Sequence, residues 1–152
     1  MNSKPSLNPK PPLNSKASLD LKPSLKEIRT QLKALKHFSV VVYGSYATGQ
    51  FTVRSDIDVA VITRKSQPKE NKAIWGKVLG KAPDRYDLKV FELLPLEVKA
   101  NIMDKYLVVF GDLLELSEYF YHFRKLWKDV EPRYRANQFT SLKEKLRALS
   151  LV

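Results

Sequence analysis

The stretch from Gly44 to Asp58, reading GSYATGQFTVRSDID, constrains this chain more than any other. Before it lies Phe38–Tyr43, FSVVVY, a β-branched run that reads as a buried strand closed by Gly44. Ile57–Thr63 is a second strand, entered through Asp56 and ended by the polar run Arg64–Lys69. Gly44 and Gly49 have the spacing of a phosphate-binding P-loop after a strand. That loop continues with Lys and then Ser or Thr, because the lysine neutralises phosphates and the hydroxyl holds Mg²⁺. Gln50 and Phe51 occupy those positions here, so the P-loop reading fails.

A different chemistry fits. Residues two apart on a strand share a face, about 6.5–7 Å apart along it, so Asp56 and Asp58 project together. Two carboxylates side by side are costly unless something positive lies between them. Mg²⁺ suits them, since it takes oxygen ligands and retains waters and substrate phosphates. Two-metal sites, with ions about 3.5–4 Å apart, draw a third acid from a neighbouring strand. Asp87 is the candidate, at the start of a third strand, Asp87–Leu93. Gly44 lets the backbone approach a phosphate closely, and Ser45 offers a hydroxyl and an amide at the turn. The plainer alternatives are a strand-entry cap at Asp56, a turn closed by Ser55 and a solvated strand end at Asp87. A lone Asp-x-Asp is weak evidence. Joined to Gly-Ser ten residues upstream, with strands on both sides, it is strong.

Along the rest of the chain, Asn2–Leu13 and Asn14–Leu25 form a tandem repeat rich in Pro, Ser and Lys, which supplies no packed face and reads as a disordered tail over 1–23. Its lysines (Lys4, Lys10, Lys16, Lys22) are placed to touch phosphates, although a tail with no specific partner is the simpler reading. Ser24-Leu25-Lys26-Glu27 fits a capping box that opens a helix carrying Leu25, Ile28, Leu32 and Leu35. Further helices are expected over Lys69–Val78 and from Pro95 to Asp104, with a short strand at Leu107–Phe110. Leu113, Leu116, Phe120, Phe123, Trp127 and Val130 recur at helical spacing and mark one apolar face, read as core or interface. Pro132 is expected to break or kink that helix, and Ser141-Leu142-Lys143-Glu144 to open a separate basic helix through Leu149. The order of elements gives an α/β fold, a small sheet with helices packed on it. Residues 24–111 form its core and 112–152 a C-terminal helical extension.

Composition narrows the chemistry. The chain of 152 residues suffices for one domain with a sizeable core. It has no cysteine and two histidines, His37 and His122, which removes disulfides, zinc fingers and thiol catalysis and disfavours a histidine metal site. Apolar runs are too short for a membrane span and no secretory leader is evident, so the cytoplasm is the expected location. The formal net charge of +11 favours polyanionic partners, RNA among them, without identifying an enzyme.

The segment GSYATGQFTVRSDIDVAVIT resembles the signature of the polymerase-β-like nucleotidyltransferase superfamily, Gly-Ser, ten residues, then Asp-x-Asp. With the following YDLKVFELLP it is similar to the minimal nucleotidyltransferases (MNT), over about residues 26–110. The resemblance implies a small mixed β-sheet flanked by helices. It implies Mg²⁺ (two ions) and ATP or another nucleoside triphosphate between the Gly-Ser turn and the acids. Asp56 and Asp58 would be metal ligands, Asp87 the third acid that aligns metal and attacking hydroxyl, and Gly44 and Ser45 the triphosphate holders. Many members carry arginine where this chain has Tyr46 and Thr48, a departure that bears on phosphate affinity or substrate choice. Members often stand beside a HEPN-domain protein and act as antitoxins, so the resemblance implies AMP transfer from ATP to a tyrosine of a HEPN toxin. Helix 113–130 is the expected contact, and self-association of that helix fits equally. Two alternatives remain: a non-catalytic antitoxin that masks its partner, and an enzyme directed at RNA.

Overall fold

In the computed structural model residues 22–150 are described; the tandem repeat lies almost wholly outside them. Helix α1 (Leu25–Gln31) starts where the Ser24 hydroxyl accepts from the Glu27 amide at 3.1 Å, the cap read from the sequence. A 3₁₀ turn at Lys33–Leu35 leads into strand β1 (Ser39–Tyr43). The one-turn helix α2 (Ser45–Thr48) and an irregular loop connect to β2 (Ile57–Ile62). Helix α3 (Pro68–Val78) carries the chain across to β3 (Tyr86–Val90). After a 3₁₀ turn at Phe91–Leu93 come α4 (Leu96–Asp104), β4 (Leu107–Phe110) and the long α5 (Leu113–Leu149).

The four strands form one sheet in the order β3-β2-β1-β4. β1 runs antiparallel to both β2 and β4, whereas β2 and β3 are parallel. The sheet is therefore mixed: β2, β3 and β4 run one way, joined in turn by the helical connections through α3 and α4, and β1 runs opposite. β1 and β2 are central and buried on both faces, which explains continuous apolar runs in place of alternation. One face packs Val40, Val42, Val59, Val61 and Leu88 against Ile28, Leu32 and Leu35 from α1 and the turn after it. The other packs Val41, Ala60 and Ile62 against Phe91, Ile102, Leu116 and Phe120.

Three expectations are corrected. The third strand ends at Val90 rather than Leu93. Phe91 turns inward under α5, 4.9 Å from the Phe120 ring between centroids, and Glu92 turns toward the end of β2. Helix α5 is not ended by Pro132. The bond lost at the missing N–H belongs to an exposed carbonyl that water can satisfy. The Glu131–Arg135 pair at 2.7 Å and the Trp127–Tyr134 ring contact at 5.4 Å bridge the proline from either side. Ser141 consequently lies inside a running helix and caps nothing. Among the described residues no helix is long and apolar enough to cross a membrane.

Candidate active site

Register brings the acids together. In β2–β3 pairing Asp58 stands opposite Asp87, and in β1–β2 pairing Asp58 stands opposite Tyr43. Tyr43, Asp58 and Asp87 thus form one row across three strands, at the end of the sheet face that α4 and α5 leave open. The next row on that face is Val41, Ala60 and Lys89, which leads into the apolar core. Asp56 precedes β2 by one residue, and its charge is felt at Asp58. Asp58 is half-buried, while Asp56 and Asp87 are exposed.

The electrostatics report the crowding. Burial, then the Asp87 and Asp56 charges, push the Asp58 carboxyl above its usual range, opposed by Lys89. Tyr43 is likewise pushed up by burial and by Asp58 and Asp87, so its phenol stays protonated. Lys89, two residues along β3, reaches Asp87 at only 3.9 Å and does not neutralise the group.

Gly44 holds the turn against this row. Its φ of 68° and ψ of −144° lie where only glycine is comfortable. A Cβ there would penetrate Asp58 Oδ2 and stand 3.2 Å from Asp58 Cγ. The Gly44 backbone therefore abuts a carboxylate with no space between. Ser45 follows at the first position of α2, where backbone amides have no acceptor inside the helix. Gly49, at φ 79°, ends that single turn. In the loop beyond, Ser55 accepts from the Thr52 amide at 3.0 Å and fixes the approach to Asp56. Val53, Arg54, Ser55, Asp56 and Arg85 line an open depression of about 410 Å³ there, with two guanidinium groups beside the acid.

Tyr46 points away from this region. It is buried, and its hydroxyl donates to the Pro23 carbonyl at 2.6 Å. Lys22 lies over the Tyr46 ring, 4.2 Å from its centroid, and donates to the Tyr46 carbonyl at 2.8 Å. Tyr46 thus anchors the chain before α1 onto the Gly-Ser turn. Tyr43 was not a candidate from the sequence; the register that sets it against Asp58 was the missing signal.

Among the described residues no three histidine, aspartate or glutamate side chains converge closely enough to enclose one ion. The donor set still suits Mg²⁺, which is commonly held by one or two carboxylates together with substrate phosphates and water. Hard oxygen donors with uncompensated mutual repulsion, beside a glycine turn, are the appropriate chemistry for that ion.

A glycine turn abutting cross-strand carboxylates at the end of a mixed sheet suits chemistry on a phosphate that shares Mg²⁺ with the acids. The chain belongs to the family described as "Nucleotidyltransferase domain", whose profile matches residues 25–109. A Methanocaldococcus jannaschii protein named "Putative protein adenylyltransferase" is 46% identical over 111 residues, which is 73% of this chain and 86% of the relative. Among solved structures, a chain of a toxin–antitoxin with AMP-PNP superposes with a TM-score of 0.59 at 13% identity, over 75% of this chain and 98% of that one. A chain of a complex between the tri-AMPylated Shewanella oneidensis HEPN toxin and its MNT antitoxin gives 0.57 at 11% identity, over 78% and 99%. At such identities the structural matches establish the fold.

Proposed function

We propose that this nucleotidyltransferase moves AMP from ATP onto a tyrosine hydroxyl of a HEPN-domain partner and so acts as an antitoxin. The observation that carries the reading is the Tyr43–Asp58–Asp87 row set directly against Gly44. It puts the Gly-Ser turn, whose first helical amides have no acceptor inside the helix, beside paired oxygen donors. The name of the relative and the HEPN complexes among the structural neighbours support a protein acceptor.

In this reading Asp56 and Asp58 hold Mg²⁺, with Asp87 as the third acid on the acceptor side. Bound Mg²⁺ supplies neutralisation of the triphosphate and activation of the acceptor hydroxyl. Gly44 and the Ser45 amide and hydroxyl orient the triphosphate tail. Asp87, exposed at the sheet edge, stands where an incoming hydroxyl can hydrogen-bond to it. Tyr43, held protonated, closes the other side of the row. Attack on the α-phosphorus forms the new P–O bond, breaks the bond to the bridging oxygen and releases pyrophosphate; positioning and charge stabilisation carry most of the rate.

A masking antitoxin without catalysis is favoured by one observation. Helix α5 exposes Leu126, Val130, Phe139, Leu142 and Leu146, a surface fit for a partner. Incubation with labelled ATP, Mg²⁺ and a HEPN-domain partner separates the readings. Label on the partner, lost in Asp58→Asn, supports transfer; equal neutralisation of the partner by both forms supports masking.

A further inference from the structure

The opposite end of β2 carries a second polar cluster that the nucleotidyl chemistry does not use. Glu92, from the turn after β3, accepts from the Thr63 amide and the Arg64 amide, each at 3.0 Å, and from the Tyr119 hydroxyl at 2.8 Å, with the Thr63 hydroxyl oxygen 3.2 Å away. Asn71, buried on α3, binds the Thr63 hydroxyl and donates to the Lys65 carbonyl at 3.0 Å. The loop Thr63–Ser66 is therefore fixed from two sides. It is also strained: Arg64 is the non-glycine residue with positive φ, at 60°, among the described residues.

This loop, Lys99, Tyr119 and Phe123 line a cavity of about 360 Å³. The Arg64 guanidinium lies 5.4 Å from the Tyr119 ring centroid, and the Lys99 ammonium 4.9 Å from that of Phe123. Neither cation has a carboxylate within ion-pair distance among the described residues. Burial pulls the Lys99 ammonium below its usual range, with Glu92 opposing. Glu92 faces the same cavity, but its two oxygens already accept from two backbone amides and the Tyr119 hydroxyl. Arg64, Lys65 and Lys99 thus outweigh one engaged carboxylate, in a recess whose walls are preorganised.

The geometry points to a second ligand site here, built for a phosphate group, free or carried by a small nucleoside monophosphate. The fixed loop aims Arg64 and the Ser66 hydroxyl, and Lys99 reaches the same anion from α4. The recess is open to solvent at Arg64, Lys65 and Ser66, so charged hydrogen bonds rather than burial would carry recognition of the anion. The glycine turn at the start of β2 plays no part.

Amide shifts of Arg64, Lys65 and Ser66 can be followed by NMR during titration with inorganic phosphate and, separately, with AMP. The buffer holds a chelator in place of Mg²⁺, at constant ionic strength. Saturable movement of these amides is expected with either probe. Tighter binding of AMP would assign the nucleotide as ligand, and equal binding the free anion. Lys99→Met keeps the stem between the rings, and Arg64→Gly suits the positive φ, so both variants should fold. Each is expected to weaken binding about tenfold or more, and Lys99→Arg to recover most of it. No saturable movement of these amides in the wild type, or unchanged affinity in both charge-removing variants, would overturn the assignment.

Discussion

Gly44→Ala separates the two jobs that the Gly-Ser turn performs. A residue with a Cβ in the backbone region of Gly44 carries a strain of roughly 1–3 kcal/mol. The methyl would also overlap Asp58 Oδ2, so either the carboxylate rotates away or the turn backs off. For a domain of this size about 1 kcal/mol moves the midpoint by roughly 2–4 °C, so Tm should fall by ~2–12 °C. Gly49→Ala is the matched control, since Gly49 also has positive φ but a Cβ there meets nothing within 4 Å. It should lose ~1–2 kcal/mol and keep AMP transfer, whereas Gly44→Ala should lose transfer by about a hundredfold or more, as expected when positioning fails. The assay pairs thermal unfolding with single-turnover transfer of labelled AMP. Full transfer by Gly44→Ala, or equal losses in both variants, would refute the claim that the turn and Asp58 share one fitted space.

Other outcomes follow from the same contacts. Because Asp58 is raised in the folded state, the native protein holds that proton more tightly than the unfolded chain. Stability from this group is therefore present at low pH and falls as pH rises from the unfolded carboxylate range through the folded value. Asp58→Asn should raise Tm near neutral pH, an advantage that fades on acidification; a lower Tm at neutral pH would contradict the crowding. Mg²⁺ should stabilise the wild type, by about 2.7 kcal/mol at a hundred times its Kd, and calorimetry should find that gain lost in Asp58→Asn. Tyr46→Phe leaves the Pro23 carbonyl without its donor and should cost ~1–3 kcal/mol in chemical denaturation. Pro132→Ala should increase amide protection across residues 128–150 in hydrogen exchange; unchanged protection would mean that the helix is already continuous at no cost.

Much of the fold was legible because local rules sufficed. The Ser24 cap, the β-branched runs of β1 and β2, and the helix after Pro95 all followed from propensity and turn chemistry, and the structure places them within a residue or two. Where tertiary contacts decided, local rules misled. Pro132 was read as breaking or kinking its helix, yet α5 runs on through it, with side-chain contacts on either side. Phe91 and Glu92 extended the pattern of β3, yet one is drawn into the core and the other to backbone amides of a distant loop. Asp56 and Asp58 were marked as candidates by their spacing and Asp87 by its place at the start of a strand, and the β2–β3 register sets Asp58 opposite Asp87. Tyr43 was not marked, because its place beside Asp58 depends on antiparallel register. Tyr46 was marked from the sequence only as a departure bearing on phosphate affinity or substrate choice; that its ring and hydroxyl fasten Lys22 and Pro23 to the turn needed the tertiary structure.

The central claim is transfer of AMP by the Asp56–Asp58–Asp87 group. The direct measurement is mixing the protein, Mg²⁺ and a purified HEPN-domain partner with ATP labelled in either the α- or the γ-phosphate. The account expects α-label on a tyrosine of the partner, γ-label only in released pyrophosphate, and neither result with Asp58→Asn. Absence of α-label on the partner, or the same labelling with Asp58→Asn, would contradict it.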